Sequence, residues 1–243
     1  MKIGGTKIGG VFLGKNLQSA LHRHHFIVLV LSTDEPFQIG YADRTFASGK
    51  VALIPQDMLY SLTTTQSSMT FFAHFDPYTA EGLRLSPIAR QVQFLDHSDF
   101  LPVLKDIEIW SSRVDTVPGE VERIMLRLLA VVTRNSRSPR NLDSRVLSVI
   151  ELVGTLDIED VDLKSAASSV FLSPSRFSHL FRNETGVTFR KFIQHRKLVR
   201  ALLLLHTDYN LTEIAFSGGF SDQPHFTKTF VNTFGITPSK SKQ

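Results

Sequence analysis

The sequence of 243 residues predicts an α+β protein in which a strand-rich N-terminal half precedes an all-helical C-terminal half. Short apolar runs separated by turn residues occupy the first 85 residues, which is typical of a small sandwich or barrel. From about residue 86 onward, apolar residues recur at helical spacing. A pattern of two short helices joined by a turn then occurs twice before the C-terminus, which indicates a repeated helical unit.

Three apolar or β-branched runs carry the strand prediction for the N-terminal half. They are FIVLVL at 26–31, KVALIP at 50–55 and MTFFAHF at 69–75. Turn-forming residues separate them, as in STDEP at 32–36. We therefore predict one β domain over residues 1–85.

The period changes in residues 86–133. Segments 88–95 and 119–132 both show apolar residues at i, i+3, i+4 and i+7, so each predicts a helix. In the second segment one apolar stripe contains Val121, Ile124, Met125, Leu128, Leu129 and Val132. The stripe either packs on the β domain or pairs two molecules, and on the second interpretation 86–133 is a helical dimerisation segment of a homodimer.

A polar segment then separates the two halves. RNSRSPRN, residues 134–141, contains Pro139 and no apolar side chain, so we place a linker there. The helical domain follows as residues 142–243.

Composition excludes several classes of protein. The chain has no cysteine, which rules out disulfides and thiolate zinc sites and is consistent with a cytoplasmic protein. No apolar run approaches the roughly 18 residues that cross a bilayer. The first 15 residues lack the continuous apolar stretch of a signal peptide. We expect a soluble protein with no membrane partner.

Charge is distributed unevenly. The formal net charge is +4, but residues 176–243 contain ten Lys or Arg against four Asp or Glu. Residues 143–162 reverse the balance, with one Arg against six acidic residues. A basic stretch beside an acidic one either faces a polyanion such as nucleic acid or is an ordinary solvated surface.

The repeat is visible when residues 173–189 are aligned with residues 222–238. At an offset of 49, the matched pairs include Phe177 with Phe226, Phe181 with Phe230, Asn183 with Asn232 and Gly186 with Gly235. Upstream the offset is 48, which pairs Leu163 with Leu211, Ala167 with Ala215 and Leu172 with Phe220. The sequence therefore predicts two helix–turn–helix units, at 163–185 and 211–234.

Turn and cap residues support this prediction. Gly219 allows the backbone to turn where the first helix of the second unit ends. Ser173 and Asp222 stand at N-cap positions, and Pro174 lies just inside its helix, where a missing N–H does no harm. The paired phenylalanines at i and i+4 should anchor each second helix. The opposite face is then polar, with Ser175, Ser178, His179 and Arg182 in one unit and Gln223, Thr227 and Lys228 in the other.

The segment between the units, FRKFIQHRKLVRALLLL at 189–205, predicts one long amphipathic helix that fixes their separation. A separation of roughly 34–36 Å would place the two second helices in successive major-groove faces. Arg196 in this helix either meets phosphate or pairs with the acidic stretch at 151–162.

These residues resemble those of the AraC/XylS transcription regulators. The resemblance covers about residues 143–242, and LTEIAFSGGFSDQPHFTKTFVNTFGITP in the second unit is its most specific part. It implies a seven-helix DNA-binding domain that binds double-stranded DNA, and RNA polymerase if the protein is an activator. It implies base contacts from Ser175, Ser178, His179, Gln223, Thr227 and Lys228. We expect phosphate contacts from Arg176, Arg182, Arg190, Lys191 and His225.

Three positions depart from the family pattern. Phe171 stands in the first turn where a small or polar residue is usual, so this turn is expected to be strained or reshaped. Pro224 replaces a common polar residue, and Ser241 stands where an aromatic residue is usual.

The N-terminal half contains a partial metal-binding pattern. His22 and His24 form H-x-H, and Gly49, Pro55, Asp57 and Tyr60 keep the spacing of the second cupin motif. The carboxylate that follows H-x-H in metal cupins is absent, and Tyr60 replaces a histidine, so we predict no metal and no other cofactor.

The resemblance implies instead a cupin-like domain that binds a small effector or mediates dimerisation. A pocket rimmed by cationic and aromatic residues could hold a sugar or an organic acid. The candidate residues are His22, Arg23, His24, Phe26 and Tyr60. Alternatively, these residues only fill a degenerate barrel used for assembly.

We therefore expect a transcription regulator that is not an enzyme. The competing hypotheses are a cupin-type metal enzyme with a DNA-binding tail and a non-specific nucleic-acid binder. A bound metal would favour the first, and a steep salt dependence without sequence preference would favour the second.

Overall fold

The computed structural model describes residues 2–23, 25–113, 117–134, 142–155, 161–205, 207–234 and 237–241. Its N-terminal part consists of two antiparallel sheets, which we refer to together as the barrel. The six-stranded sheet has the order β1-β2-β8-β3-β6-β9 and the three-stranded sheet the order β5-β4-β7. The strands are β1 (Lys2–Thr6), β2 (Gly9–Gly14), β3 (Ile27–Ser32), β4 (Phe37–Tyr41), β5 (Phe46–Gly49), β6 (Val51–Ile54), β7 (Tyr60–Thr63), β8 (Thr70–Phe75) and β9 (Gln93–Phe94).

The helices follow in chain order. They are α1 (Ala80–Leu85), a 3₁₀ turn (His97–Phe100), α2 (Leu101–Ser112), α3 (Glu120–Thr133), α4 (Ser144–Thr155), α5 (Leu163–Ser169), α6 (Pro174–Thr185), α7 (Phe189–Leu204), α8 (Leu211–Ser217), α9 (Gln223–Phe234) and α10 (Pro238–Ser241). In the described part of the chain, no helix is both long and apolar enough to cross a lipid bilayer.

Strand β3 shows why the apolar runs of the N-terminal half form strands. All six of its residues are buried, and its side chains alternate between two cores. Ile27, Leu29 and Leu31 face α2 and α3, whereas Val28 and Val30 face the smaller sheet. A strand covered on both faces reads as a continuous apolar run, as FIVLVL does.

The segment 88–95 does not form the predicted helix. Gln93 and Phe94 instead pair with Leu53 and Ala52 as the short edge strand β9. The main chain at residues 86–92 makes turns, because Ile88 and Ala89 close hydrogen bonds back to the Leu85 carbonyl. Pairing with the edge of β6 overrides the helical spacing here, because helices in proteins are stabilised mainly by tertiary packing rather than by local preference.

Helix α3 forms where its apolar spacing predicts. Ile124, Met125, Leu128 and Leu129 are buried in one core with β3 and α2. The apolar stripe is therefore in contact with the chain's own barrel. A dimer contact through α3 would have to use its outer face, where Leu126 is exposed. The linker predicted at 134–141 lies outside the described residues from position 135 onward.

Two cores organise the helical part. One contains α4, α5, α6 and the start of α7, together with Tyr78, which follows β8. The other is continuous from the interior of the barrel into the second half of α7, α8 and α9. The C-terminal helices therefore pack directly on the barrel.

Candidate nucleic-acid interface

The first helix–turn–helix unit consists of α5 and α6, and both helices are capped by side chains. The Asp162 carboxylate accepts a hydrogen bond from the Ser165 amide at 2.7 Å, within a capping box. The Ser173 hydroxyl accepts one from the Arg176 amide, and Pro174 occupies the first turn of α6, as predicted. Gly186 ends α6 with a left-handed backbone, at φ 80°.

The second unit, α8 and α9, repeats this design. Asn210 and Glu213 form a reciprocal capping box, with the Asn210 side chain accepting from the Glu213 amide at 3.0 Å. The Asp222 carboxylate accepts from the His225 amide at 2.7 Å, which confirms its predicted role at the start of α9.

The two turns have the same geometry despite their different residues. Gly219 has φ 85°, and Phe171, which occupies the matching position, has φ 57°. The Phe220 amide donates to the Ala215 carbonyl and the Leu172 amide to the Ala167 carbonyl, both at 2.9 Å. The first turn is therefore not reshaped. It is strained, because a left-handed conformation costs a residue with a Cβ about 1–2 kcal/mol.

The paired phenylalanines anchor each second helix as predicted. Phe177 and Phe181 in α6 and Phe226 and Phe230 in α9 have no exposed surface. Their ring centroids lie 5.6 Å apart in the first pair and 5.7 Å apart in the second. Because these positions fix the rotation of each helix, the opposite face is turned toward solvent.

The solvent-facing residues of α6 lie on this opposite face. Ser175, His179 and the two basic residues Arg176 and Arg182 are exposed. Ser178 is half-buried, in a groove that also contains Arg190 at the start of α7. The structure thus brings together the predicted base-facing and phosphate-contacting residues of the first unit.

On α9, Gln223, Thr227 and Lys228 line one shallow surface groove. The Gln223 side-chain oxygen accepts a hydrogen bond from the Thr212 hydroxyl at 2.9 Å, which fixes the amide relative to α8. His225 is exposed beside this groove. The wall of the groove also contains Val231 and Asn232, which were not predicted from the sequence. Each lies one helical turn after a predicted residue, Thr227 or Lys228.

Arg190 and Lys191 are exposed in the first turn of α7. Lys191 also lies close enough to the barrel for its charge to lower the pKa of the Asp57 carboxyl. Burial raises the pKa of the Asp57 carboxyl, but the His25 hydrogen bond and the charges of His25, Lys191 and Arg23 outweigh it and leave that pKa lowered. The barrel thus places a carboxylate near one of the predicted phosphate contacts.

Arg196 pairs with the barrel rather than with the acidic stretch of its own domain. Its guanidinium donates to one oxygen of Asp76 at 2.6 Å, and His195 lies 3.2 Å from the other oxygen. Asp76 has no exposed surface. Burial raises the pKa of its carboxyl, but His195 and Arg196 more than offset this and hold the pKa below its usual range. Among the described residues of 151–162, no carboxylate forms an ion pair with Arg196, and the contact of Arg196 with phosphate stays a prediction.

The candidate effector residues separate into three groups. His22 and Tyr60 line a cavity inside the barrel. Phe26 is buried in the adjoining core, with its ring 4.5 Å from that of His195, and Arg23 is exposed outside the cavity. His24 lies outside the described residues. Among the residues that are described, no cluster of three or more His, Asp or Glu side chains could hold a metal ion.

Comparisons with known proteins bear on the helical part. Residues 166–243 match a protein family described as a helix-turn-helix domain. The arabinose operon regulatory protein of Salmonella typhimurium is 33% identical over 122 residues, which are 49% of this chain and 43% of that protein. The C-terminal domain is of the AraC/XylS type. The regulatory protein PocR of Salmonella typhimurium is 32% identical to this chain over 111 residues, 45% of this chain and 37% of PocR.

The chain spans less than half the length of either relative. For the whole fold, the crystal structure of ToxT from Vibrio cholerae O395 is similar over 95% of this chain and 94% of that chain. The TM-score is 0.61 at 12% sequence identity. This similarity confirms the predicted α+β architecture, a sheet-rich N-terminal part followed by a helical AraC-type domain.

Proposed function

We propose that the protein is a sequence-specific DNA-binding regulator of transcription. The observation that carries this proposal is the pair of capped helix–turn–helix units, each with a second helix anchored by two buried phenylalanines and polar on its exposed face. Such a helix presents donors and acceptors to base edges in the major groove.

Helix α7 sets the distance between the two units. Its 16 residues span about 24 Å, with Phe189 and Phe192 against α6 and Gln194 hydrogen-bonded to Thr229 of α9. By fixing both units in this way, α7 would let α6 and α9 enter successive major-groove segments, roughly 34–36 Å apart, on one side of the duplex.

Within this proposal the side chains have separate tasks. Base readout belongs to the groove-facing polar residues, and the exposed basic residues contact phosphate without reading sequence. The base set is Ser175, Ser178, His179, Gln223, Thr227 and Lys228. The phosphate set is Arg176, Arg182, Arg190, Lys191 and His225.

The N-terminal part is proposed to respond to a small effector, to mediate homodimerisation, or both. The continuous core between the barrel and α7–α9 supports an effector role, since a change inside the barrel reaches the second unit directly. A regulator of this class works in the cytoplasm, and an activator would also contact RNA polymerase.

We propose no catalytic activity, since the relatives of the AraC-type domain carry the names of regulators. The competing hypothesis of a cupin-type metal enzyme requires three or four protein ligands on a bound metal ion. Elemental analysis of the purified protein tests it, and one equivalent of a transition metal would support the enzyme hypothesis.

Selection from sheared genomic DNA at near-physiological salt tests the proposed function. Sequencing of the retained fragments should reveal a motif with two contact blocks about 10 bp apart. Retention of all fragments equally would contradict sequence-specific regulation and would favour non-specific binding.

A further inference from the structure

A cavity of about 60 Å³ lies between the two sheets of the barrel and the C-terminal end of α9. Its wall is mostly aromatic and contains Phe12, Tyr60, Phe72 and Phe234, together with the imidazoles of His22 and His74. Phe234 is the last residue of α9. The cavity therefore has one wall that belongs to the second helix–turn–helix unit.

None of the described residues that line the cavity is Lys, Arg, Asp or Glu, so none of them carries a formal charge. Burial lowers the pKa of His74 to about 3 and also lowers that of His22, so both imidazoles are neutral at pH 7. Burial raises the pKa of the Tyr60 hydroxyl well above its ordinary value. A carboxylate or phosphate placed here would be desolvated without a counter-charge, which is strongly unfavourable.

Polar groups are nevertheless present on one side. Gln18 and Ser19 line the cavity in the segment that runs antiparallel beside β7, where the Ser19 amide donates to the Leu62 carbonyl at 3.0 Å. His22 joins the same strand through main-chain bonds with Tyr60 at 2.9 and 3.0 Å. Neutral donors and acceptors beside aromatic rings suit a ring compound with one uncharged polar substituent.

The cavity is too small for such a ligand, so part of its wall must move when the ligand binds. A cavity of 60 Å³ accommodates a few waters, whereas benzene occupies an apolar cavity of about 150 Å³. The segment at 17–22 is fixed to β7 by hydrogen bonds. Phe234 is held by ring packing, with its centroid 5.2 Å from Phe12, 5.3 Å from His74 and 4.7 Å from Phe230. Phe234 is the wall residue that a ligand can displace.

We propose that this cavity binds a small, uncharged aromatic compound that displaces Phe234 and thereby shifts the C-terminal end of α9. The inference rests on the proposed function, because it specifies the ligand class and the route by which that ligand changes DNA binding. It replaces the sugar or organic acid expected from the sequence with a neutral aromatic molecule. Arg23, the cation of that expectation, is not part of the wall.

Matched probes on the full chain test the ligand class. 4-Methylbenzamide and 4-methylbenzoate have nearly the same shape and differ in charge at pH 7.4, and p-cresol serves as a second neutral probe. Isothermal titration should give at least ten-fold tighter binding for both neutral probes than for the benzoate. Equal binding of the amide and the benzoate would overturn the inference.

Substitution of Phe234 tests the route. Phe234→Ala removes the wall residue and should tighten amide binding several-fold, while the effect of the amide on DNA affinity should disappear. Phe234→Leu, a smaller change, should show both effects in weaker form if the alanine variant folds poorly. Phe216→Ala is the matched control, because this exposed aromatic lies on α8 outside the cavity. Unchanged amide binding and unchanged coupling in both Phe234 variants would contradict the proposal.

Different results would refute the ligand inference and the proposed function. A chain that selects a DNA motif but binds no neutral probe, even as Phe234→Ala, would refute the ligand inference alone. A chain that binds the amide but retains all DNA fragments equally would refute the proposed function.

Discussion

The two helix–turn–helix units are capped at matching positions and have matching pairs of phenylalanines, yet different structures support them. The first packs on α4 and on Tyr78, in a core of helices. The second shares a core with both sheets of the barrel, and Phe234 contacts Phe12 and Phe26 there. One local motif can therefore pack mainly on helices of its own domain or continue the core of the barrel, depending on the elements behind it.

Helix α7 joins these two environments, and its buried ion pairs fix it to the barrel. Asp76 holds both His195 and Arg196 where no solvent reaches its carboxylate. The position of the second unit relative to the first is therefore set partly by the barrel.

Asp76→Ala should lower the free energy of unfolding by about 3–5 kcal/mol, because it leaves the partly buried charge on Arg196 without its partner. Urea denaturation measures the change. Asp106→Ala is the control, since Asp106 pairs with Arg127 near the surface and should contribute less than about 1 kcal/mol. Equal losses in the two variants would show that the contact with the barrel does not support the helical domain.

Stability should fall as the pH drops below about 6.5, because His74 has a pKa of about 3 in the folded chain. The unfolded chain takes up this proton first, so protonation favours unfolding between these two pH values. His74 contributes up to about 1.4 kcal/mol per pH unit in this window. Urea denaturation from pH 7 to pH 5 should show a flatter dependence for His74→Gln. Parallel curves for the two proteins would contradict neutral burial of His74.

His179→Ala and Thr227→Ala should each relax sequence preference in a different contact block of the selected motif. Losing a base contact costs about 1–3 kcal/mol of discrimination at that position. Binding titrations against single-base variants of the motif measure this. Lys105→Ala, an exposed change on α2, should leave both blocks intact. If both variants affected one block, the units would not be reading separate segments.

Phe171→Gly should stabilise the chain by up to about 1 kcal/mol, since it relieves a left-handed backbone at φ 57°. Gly219→Ala in the matching turn should destabilise it by about 1 kcal/mol. Its new Cβ would lie 3.5 Å or more from the Lys197 side chain, so the loss is conformational. Thermal denaturation of the two variants measures both changes in stability. Loss of stability in Phe171→Gly would mean that the exposed ring makes a stabilising contact.

The helix–turn–helix units could be predicted from sequence because their signals are local. The caps at Ser173 and Asp222 and the i, i+4 phenylalanines are each complete within a few residues. The repeat then supplied a second copy of every signal. The first turn was predicted to be strained or reshaped, because Phe171 stands where the family pattern has a small or polar residue, and the structure shows the strained alternative.

Other features could not be predicted because they depend on distant partners. Asp76 and Arg196 are 120 positions apart, so no local pattern pairs them. The apolar stripe of α3 fits a barrel surface or a second molecule equally well. Segment 88–95 has helical spacing, but pairing of Gln93 and Phe94 with β6 determines its structure. The cavity wall combines α9 with three strands, so the place of Phe234 in that wall could not be predicted from the sequence.

Hydroxyl-radical footprinting on a fragment retained in the genomic selection tests the central claim most directly. If both units read DNA, the protein should protect two segments whose centres lie about 10 bp apart on one side of the duplex. His179→Ala should weaken protection of one segment, and Thr227→Ala that of the other. A single protected segment, weakened by one substitution and not by the other, would contradict the account that both units bind.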